Sequence, residues 1–306
     1  MMCAMCRRNV AKYILPTGEA LCDRCLIRRV MSRVRRAISR YRMFKPTDRI
    51  MLCVNGSLES LVMLDVMYSL EREYPTASLV ACLVDEGRFE EEHLKEIRRK
   101  VEEYGIELIE DSFKERYGMD ITSLRSIEGA DPCELCRSLR MNIILKIAQE
   151  NEVTRIAVAR NMEYECSIAM LRLIRGLEPL PPSLREGFIA KPMLYVSYYE
   201  IEAYALIKAM KSLRPSCPLE DKSLIKYLRS ELVELDRRHP GSLFSMIRSL
   251  EDLGSLEEKV HECIYCGEIG VEKVCSSCRI LITRGIIKSG FSDGTLPSST
   301  ATHARG

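Results

Sequence analysis

The sequence predicts an α/β protein built on a doubly wound, mostly parallel sheet, with a small zinc module at each end of the chain. Three observations support this prediction. Short apolar runs alternate with amphipathic helical patterns through the centre of the chain, which is typical of parallel sheets covered by helices. A set of four closely spaced cysteines stands near either end. Polar and small residues follow several of the apolar runs, as they do at ligand sites beyond strand ends.

The length and composition are those of an ordinary globular protein. The 306 residues are 46% hydrophobic and 29% charged, with a formal net charge of +2. No apolar run approaches the roughly 20 residues that a membrane span needs, so we expect no membrane partner. The first residues lack an apolar core behind a basic region, and therefore predict no secretory signal. Most of the 14 cysteines fall into C-x2-C pairs, which favours metal ligation in a reducing compartment and predicts a cytoplasmic protein.

The N-terminal zinc module is predicted over residues 1–26, with a short hairpin between its two cysteine pairs. The spacing C-x2-C-x15-C-x2-C completes a tetrahedral zinc site, which we expect to be structural. Its ligands are Cys3, Cys6, Cys22 and Cys25. A basic linker, 27–48, follows, and a helix is predicted over 26–42.

The arginines of this helix form the predicted contact with nucleic acid. Asp48 is the sole acidic residue from Arg24 to Arg49, and an unopposed positive cluster is the electrostatic signature of phosphate-backbone binding. A solvated helix face is the alternative interpretation. The predicted RNA-binding residues are Arg28, Arg29, Arg33, Arg35, Arg36 and Arg40.

The predicted nucleotide-binding core covers 49–176 and alternates strands with helices. The predicted strands are 49–54, 77–84, 106–109 and 154–158, and the predicted helices are 58–74, 90–104, 134–150 and 163–175. Parallel strands end at one edge of a sheet, so a ligand is expected beside Asn55, Asp85 and Asn161, which follow three of these strands. A helical extension is predicted over 177–260, and its helices are 200–212 and 222–238.

Six cysteines lie outside the two end tetrads, and three of them are predicted to be small core residues: Cys53, Cys82 and Cys166. Cys133 and Cys136 form a C-x2-C pair at the start of a predicted helix, and the nearest unclaimed companion is Cys217. Three thiolates without a fourth predict a metal centre with one position open. Near the end of the chain, C-x2-C-x8-C-x2-C predicts a zinc ribbon over 261–288, followed by a disordered tail, 289–306. The ribbon ligands are Cys263, Cys266, Cys275 and Cys278.

This arrangement resembles the tRNA uridine 2-thiolation (2-sulfurtransferase) branch of the PP-loop, or N-type ATP pyrophosphatase, superfamily. The resemblance covers nearly the whole chain. It includes the flanking zinc modules, the strand–loop–helix nucleotide site, the C-x2-C helix, an Asn-centred loop and the later Cys-Pro pair. It implies the adenine nucleotide alpha hydrolase-like fold of that superfamily.

The nucleotide loop departs from the family pattern. The family has Ser-Gly-Gly-x-Asp-Ser where this chain has Asn55-Gly56-Ser57-Leu58-Glu59-Ser60. Such a loop presents backbone N–H groups and a helix N-terminus to a pyrophosphate. The plain alternative is a strand-to-helix turn capped by Asn55. The nucleotide-binding residues that the resemblance implies are Asn55, Gly56, Ser57, Glu59, Ser60, Asp85 and Asn161.

Other charged positions also differ from the family pattern. The family's Gly-His-Asn-x-Asp-Asp loop appears here as Ala159-Arg160-Asn161-Met162-Glu163-Tyr164, and Arg140 stands where the family has a lysine. This exchange is not conservative at a phosphate contact, because Arg is a planar fork and Lys a point charge. By resemblance, Arg140 and Lys191 would neutralise phosphate charge. The implied catalytic residues are Cys133, Cys136, Cys217, Arg140 and Glu163.

The resemblance implies an enzyme that uses ATP and magnesium to adenylate the C2 carbonyl oxygen of a tRNA uridine, after which sulfur displaces AMP. Cys133, Cys136 and Cys217 would hold a [4Fe-4S] cluster that carries sulfide, or two of these thiols would act as persulfide carriers. The sulfur would come from a thiocarboxylated ubiquitin-like carrier protein or a persulfide donor.

The altered loops leave two alternatives open. One is a catalytically degenerate paralogue that binds tRNA as the partner of an active thiolase, in a heterodimer, while a homodimer is possible for either form. The other is a zinc-dependent nucleic-acid-binding module without chemistry, which leaves the three central cysteines unexplained.

Overall fold

The computed structural model describes residues 1–72, 77–219, 223–252 and 260–288, and the predicted tail 289–306 lies outside this range. The described strands are β1 (Tyr13–Ile14), β2 (Ala20–Leu21), β3 (Arg49–Cys53), β4 (Ser78–Asp85), β5 (Glu107–Ser112), β6 (Arg155–Ala157), β7 (Ile189–Ala190), β8 (His261–Glu262) and β9 (Ile269–Gly270). The described helices are α1 (Asp23–Tyr41), α2 (Leu58–Glu71), α3 (Glu91–Glu102), α4 (Phe113–Tyr117), α5 (Pro132–Glu150), α6 (Met162–Ile174), α7 (Tyr198–Ile207), α8 (Leu224–Arg238), α9 (Ser242–Asp252) and α10 (Ser276–Thr283).

The central sheet confirms the predicted doubly wound, parallel architecture. Five parallel strands lie in the order β5-β4-β3-β6-β7. The chain starts at β3, runs outward to β5, and then returns to add β6 and β7 on the other side of β3. The order therefore reverses between β3 and β6, and the carboxyl ends of these two strands form the crevice where such sheets bind ligands.

Helices cover both faces of the sheet, which explains why its strands β3 and β4 are apolar over most of their length. Leu52 of β3 packs with α2 and α7, whereas Met51 packs with α5 on the opposite face. Helix α2 is buried on all sides because α7 covers the face that does not contact the sheet. In the part of the chain that the structure describes, no helix has the length and apolarity needed to cross a membrane.

Several elements begin or end where local chemistry dictates rather than where the periodicity predicts. Helix α5 begins at Pro132, because the Asp131 carboxylate accepts hydrogen bonds from the Cys133 and Glu134 amides at 2.8 and 3.3 Å. Helix α7 ends at Ile207, five residues before its predicted end, and Ala209 has a φ of +51°. The chain is non-helical from there to 219.

The prediction missed strand β7 and the helices α4, α9 and α10. Strand β7 has only two residues and lies in the segment predicted to be helical, where a period of two cannot be recognised. Helix α9 packs on α6 and α8, and helix α10 of the C-terminal module packs on α5. Helix α1, which begins inside the N-terminal module, packs on α7, so both end modules are in contact with the core.

Candidate functional site

The loop after β3 makes a sharp turn at the crevice of the sheet. Gly56 has a φ of +75°, and the Leu213 amide donates a hydrogen bond to its carbonyl oxygen at 2.7 Å. Ser57, not Asn55, is the N-cap of α2: its hydroxyl accepts from the Ser60 amide at 3.3 Å. Asn55 instead accepts from the Ser57 amide at 3.1 Å, which fixes the turn itself. The predicted cap is therefore two residues too early.

Two cavities adjoin at this crevice. The first, of about 120 Å³, is lined by the loop and is here called the loop cavity. The predicted residues that line it are Asn55, Ser57, Glu59, Ser60 and Arg140. The second, of about 530 Å³, is called the cysteine cavity because Cys133, Cys136 and Cys217 all line it. The residues that line both cavities are Arg137, Arg140, Tyr164, Arg214 and Arg229.

The structure thus brings the three separated cysteines to one cavity, as the sequence predicts. Cys133 and Cys136 come from the first turns of α5, and Cys217 comes from the non-helical segment after α7. Among the described residues, only the two end tetrads form cysteine groups with all sulfur atoms within 4.8 Å of one another. The central trio is more widely spaced and does not fit a single tetrahedral ion. Burial raises the pKa of Cys136 to about 12, so metal binding there must displace a proton.

A buried carboxylate that the sequence analysis missed organises the boundary of the cavities. Glu86 is 0% exposed and accepts hydrogen bonds from Arg140 and, at 3.0 Å, from Arg88. Burial acts to raise its pKa, but Arg140 and Arg88 outweigh burial, so that the pKa is lowered. Arg214 lies nearby, and burial together with Arg88 and Arg140 lowers its pKa to about 10. The only available sequence signal was position, since Glu86 directly follows a strand end.

The two acidic residues expected at the nucleotide are already bound to groups of the protein. The Glu59 carboxylate accepts a hydrogen bond from Arg229 of α8. Burial acts to raise the pKa of Glu59, but Arg229 outweighs burial and the pKa is lowered. The Asp85 carboxylate accepts from the Gly87 amide at 2.8 Å and thereby fixes the turn after β4. Asp85 lines neither cavity, so its position does not support the predicted nucleotide contact.

The Asn-centred loop directs different side chains to the site from those predicted. Asn161 caps α6 and donates from Nδ2 to Glu163 at 2.8 Å, and Glu163 accepts from the Tyr198 amide at 2.8 Å. Burial raises the pKa of Glu163 to about 7. Neither residue lines a cavity, so the predicted catalytic role of Glu163 and nucleotide contact of Asn161 are not supported by their positions. Arg160 lines the loop cavity, and Tyr164 lines both cavities.

The C-terminal module supplies a counter-charge to this region. Glu268 lies 3.0 Å from Arg160 and 3.3 Å from Arg137. The Arg160 guanidinium also lies 5.3 Å from the centre of the Tyr164 ring. Burial acts to raise the pKa of Tyr164, but Arg137 and Arg160 outweigh burial and the pKa is lowered. The module is therefore part of the electrostatic structure of the site.

Lys191 does not take the predicted position beside a phosphate. Its ammonium donates to Glu165 at 2.9 Å and to the Pro182 carbonyl at 2.5 Å. It lines a separate cavity of about 320 Å³ between α6 and the C-terminal module. The positive charge of Lys191 is thus already neutralised inside the protein.

The two end tetrads come together as predicted, and each can hold a metal ion. The tetrads are Cys3, Cys6, Cys22 and Cys25, and Cys263, Cys266, Cys275 and Cys278. The sulfur atoms of Cys6 and Cys22 lie 3.9 Å apart, and those of Cys266 and Cys275 lie 3.6 Å apart.

The predicted RNA-binding face of α1 is only partly open to solvent. Arg29 and Arg33 lie 2.8 and 2.9 Å from the carboxylate of Glu200, which is 1% exposed, so these two arginines hold α7 against α1. This corrects the expectation of an unopposed cluster, because the counter-charge comes from a distant part of the chain. The arginines on the exposed face are Arg28, Arg35, Arg36 and Arg40.

Comparisons with known proteins agree with this geometry. A family model described as PP-loop domain matches residues 28–234. A tRNA-5-methyluridine(54) 2-sulfurtransferase from Thermus thermophilus is 26% identical, over 92% of this chain and 91% of that protein. Cytoplasmic tRNA 2-thiolation protein 1 from Chlamydomonas reinhardtii is 26% identical, over 95% of this chain and 87% of that protein.

A solved structure has the same fold. It is the U34-tRNA thiolase NcsA from Methanococcus maripaludis with its [4Fe-4S] cluster, 24% identical in sequence, and it superposes with a TM-score of 0.75. The superposition covers 94% of this chain and 98% of that chain. The likeness shows that the sheet and its flanking modules are arranged in the same way in both proteins.

Proposed function

The chain belongs to the PP-loop domain family, and on this premise we propose that it is an ATP-dependent tRNA uridine 2-sulfurtransferase. The C2 carbonyl oxygen of a uridine attacks the α-phosphorus of ATP, and pyrophosphate leaves. A sulfur atom then attacks C2 and displaces AMP, which leaves a 2-thiouridine. The first step takes place at the α-phosphorus of ATP and the second at C2 of the uridine. The uridine must therefore lie between the nucleotide and the sulfur source.

One observation carries this proposal: the loop cavity and the cysteine cavity share a wall. The wall consists of four arginines from three segments of the chain together with Tyr164, and it lies between the predicted nucleotide loop and the three cysteines. A nucleotide bound on one side and a sulfur source on the other would thus meet at one wall. That arrangement is what successive adenylation and sulfur transfer require.

The residues of the loop cavity would hold the nucleotide. The N-terminus of α2 borders the loop cavity, because Ser57, Glu59 and Ser60 line it, and the positive end of the helix dipole favours a phosphate group there. Arg140 and Arg229 line both cavities and can neutralise the charge that develops on the leaving pyrophosphate.

The three central cysteines would hold the group that delivers sulfur. Their thiol ligands and wide spacing fit an iron–sulfur cluster with an iron atom left unligated by protein, and such a cluster would supply the sulfur atom. Arg140 lies close enough to Cys136, and Arg137 to Cys133, to stabilise thiolate charge.

We further propose that the two end tetrads bind zinc. Four sulfurs at the usual zinc–sulfur bond length of about 2.3 Å stand about 3.8 Å apart in a tetrahedron. The observed separations of 3.9 and 3.6 Å match this value. No cysteine forms a disulfide, and all cysteines lie within the described residues, as expected of a cytoplasmic protein.

The exposed arginines of α1 would bind the tRNA backbone. They project from a helix whose opposite face is buried, and they therefore present a row of positive charges. The sulfur would come from the thiocarboxylate of a ubiquitin-like carrier protein or from a persulfide donor, whose outer sulfur is released as sulfide when a second thiol forms a disulfide with the donor cysteine. Cys217, which lines the cysteine cavity, is half-buried, and its neighbour Ser216 is exposed.

A direct assay tests the proposal. The protein is purified without oxygen, loaded with iron and sulfide, and incubated with ATP and unmodified tRNA, and 2-thiouridine is measured by mass spectrometry of the digested RNA. We expect thiolation that depends on ATP and is lost in Cys217→Ala, with iron content reduced as well. Unchanged iron content in Cys217→Ala would remove that residue from the ligand set, and absence of thiouridine in the wild type would contradict an active enzyme.

The Glu59–Arg229 ion pair favours a second candidate function, that of a partner protein that binds nucleotide and tRNA without turnover. The carboxylate expected to assist ATP chemistry is occupied by a guanidinium. On this view the same assay gives no thiouridine, whereas equilibrium binding of ATP and tRNA persists. Measurement of both quantities on one preparation separates the two functions.

A further inference from the structure

We propose that the loop cavity grips the polyphosphate of its nucleotide with arginine side chains alone, without a divalent cation. This inference rests on the proposed nucleotide site and specifies how that site recognises its ligand. It departs from the magnesium that the family resemblance implies. The residues at the crevice determine whether such an ion fits.

The carboxylates needed for magnesium are committed elsewhere. Mg²⁺ requires a near-octahedral set of oxygen ligands and usually takes one or two carboxylates together with the phosphates. Of the described residues that line the two cavities, Glu59 is the sole carboxylate. It is 12% exposed, and Arg229 occupies the face that a metal ion would need.

The acidic residues just behind the cavity walls are equally committed. Asp85 accepts from the amides of its own turn. Glu86 is fully buried between Arg140 and Arg88, and Glu268 is held by Arg160 and Arg137. Glu86 and Glu268 would each have to give up a guanidinium before binding a cation, and the abandoned guanidinium would then lie beside that cation. Asp85 would have to give up the amide groups of its own turn. The described residues at the crevice therefore do not fit a magnesium ion.

Positive charge, in contrast, is in excess. The arginines that line the two cavities are Arg88, Arg137, Arg140, Arg160, Arg214 and Arg229. Five of them pair with three carboxylates, Glu59, Glu86 and Glu268, at N–O distances of up to 3.3 Å. Arg160 also lies 3.8 Å from Glu165, which still leaves more guanidinium groups than carboxylates. A cation would add to this excess, whereas a phosphate chain would relieve it.

Arg214 has the environment expected of a phosphate ligand. It lines both cavities, and its buried Nε has no hydrogen-bond partner within the described protein. Arg88 and Arg140 face it as like charges, and burial removes water from it. An anion that accepts hydrogen bonds from this guanidinium would satisfy the free N–H and offset the repulsion. One guanidinium can donate two parallel hydrogen bonds to two phosphate oxygens, so the arginines that line the cavities can replace the metal ion in recognising the phosphate chain.

The consequence is that magnesium should leave the affinity for ATP unchanged or lower it, whereas an enzyme that binds magnesium–ATP through the metal would lose affinity without magnesium. Magnesium neutralises part of the charge on ATP, and this is the charge that the arginines would bind. Free ATP should therefore bind at least as tightly as magnesium–ATP. Inorganic tripolyphosphate should compete with ATP, since recognition falls mainly on the phosphate chain.

The test is calorimetric titration of the full chain with ATP, once in EDTA and once in saturating magnesium. We expect the Kd in EDTA to equal the Kd in magnesium or to lie below it, and tripolyphosphate to displace ATP in both. Arg214→Met should weaken binding by about tenfold or more in both conditions, as expected for the loss of a charge-assisted hydrogen bond. Arg172→Met is the matched control, because Arg172 lines the separate 320 Å³ cavity, and it should leave the Kd unchanged.

A Kd that is tenfold or more weaker in EDTA would overturn the inference, as would failure to bind ATP in either condition. Glu59→Gln gives a second readout: loss of a magnesium requirement in that variant would identify Glu59 as a metal ligand and would also overturn it. Thermal unfolding of each variant shows whether a change in Kd reflects loss of folded protein. Tight binding in EDTA without any thiouridine product would refute the proposed enzyme and leave this inference standing, whereas thiolation with strictly magnesium-dependent binding would do the reverse.

Discussion

Replacement of Glu86 by glutamine should destabilise the protein through the arginines that it leaves behind. Glu86 is 0% exposed, and its carboxylate binds both Arg140 and Arg88. Glutamine keeps the shape but removes the negative charge, so two guanidinium groups lose their nearest counter-ion. Removal of one partner of a buried ion pair typically costs about 3–5 kcal/mol of folding free energy.

The lower end of that range applies here. The Arg140 side chain is 21% exposed and borders a cavity of about 530 Å³, so water can reach part of the uncompensated charge. We therefore expect a loss of about 3 kcal/mol, which lowers Tm by roughly 5–10 °C in a chain of this size. Glu102→Gln, at the exposed end of α3, is the matched control and should change stability by less than about 0.5 kcal/mol.

Urea unfolding of the zinc-loaded protein measures the effect, and the double variant Glu86→Gln/Arg140→Gln tests its cause. If the cost arises from stranded positive charge, the double variant should be more stable than the sum of the two single effects by about 1–3 kcal/mol. Additive losses, or a Glu86→Gln variant within about 0.5 kcal/mol of wild type, would refute the reasoning.

The pH dependence of folding stability follows from the ion pairs that Glu86 forms with Arg140 and Arg88. Arg140 and Arg88 lower the pKa of Glu86 in the folded protein despite its burial. A carboxylate with a lowered folded pKa stabilises the fold above its unfolded pKa of about 4.3, and this contribution is lost as pH falls through the folded value. The difference between wild type and Glu86→Gln should thus be constant near neutral pH and shrink below about pH 4.

Three other outcomes follow from the structure. Gly56→Ala should lower the free energy of unfolding in urea by about 1 kcal/mol more than Gly18→Ala does. Both glycines have positive φ, but only a Cβ at Gly56 would meet other atoms, Ile97 at 2.9 Å and the Leu213 backbone at 3.1 Å. Equal losses in the two variants would contradict this. Cys278→Ser should lower the zinc content from two to one per chain in elemental analysis, and retention of both would contradict the tetrad. Arg28→Ala should reduce the salt dependence of tRNA binding by about one ion, whereas Arg29→Ala should chiefly reduce stability, since Arg29 is tied to Glu200.

The sequence sufficed for features that depend on local pattern. Apolar runs predicted four of the five strands of the central sheet, and the polar residues after them lie where the strand order reverses. Cysteine spacing predicted both tetrads, and three of the six remaining cysteines, a C-x2-C pair and the single Cys217, form the trio that meets in the cysteine cavity. These inferences succeed because ligand spacing and strand alternation are properties of short segments.

Long-range charge pairing was beyond such reasoning. Arg29 pairs with Glu200, 171 residues away, and Arg160 with Glu268, 108 residues away. A search for opposite charges three or four residues apart detects neither pair. The positions of Asn161 and Glu163 do not support their predicted roles for a related reason. Asn161 caps α6 and Glu163 accepts from the Tyr198 amide, so both side chains are engaged inside the protein. Strand β7 was missed because two residues carry no period.

The departures from the family's charged positions form a coupled set, and this bears on whether the site is tuned or decayed. A decaying site would accumulate unmatched changes, and an unpaired buried charge is costly enough to be conspicuous. Here Arg160 meets Glu268 of the C-terminal module, Arg140 meets Glu86, and Glu59 meets Arg229. Each of these three positions has a partner from a different segment of the chain, while the buried Nε of Arg214 has no partner among the described residues. Such matching favours the proposed anion site over a decayed one, and the response of ATP binding to magnesium is the measurement most sensitive to that difference.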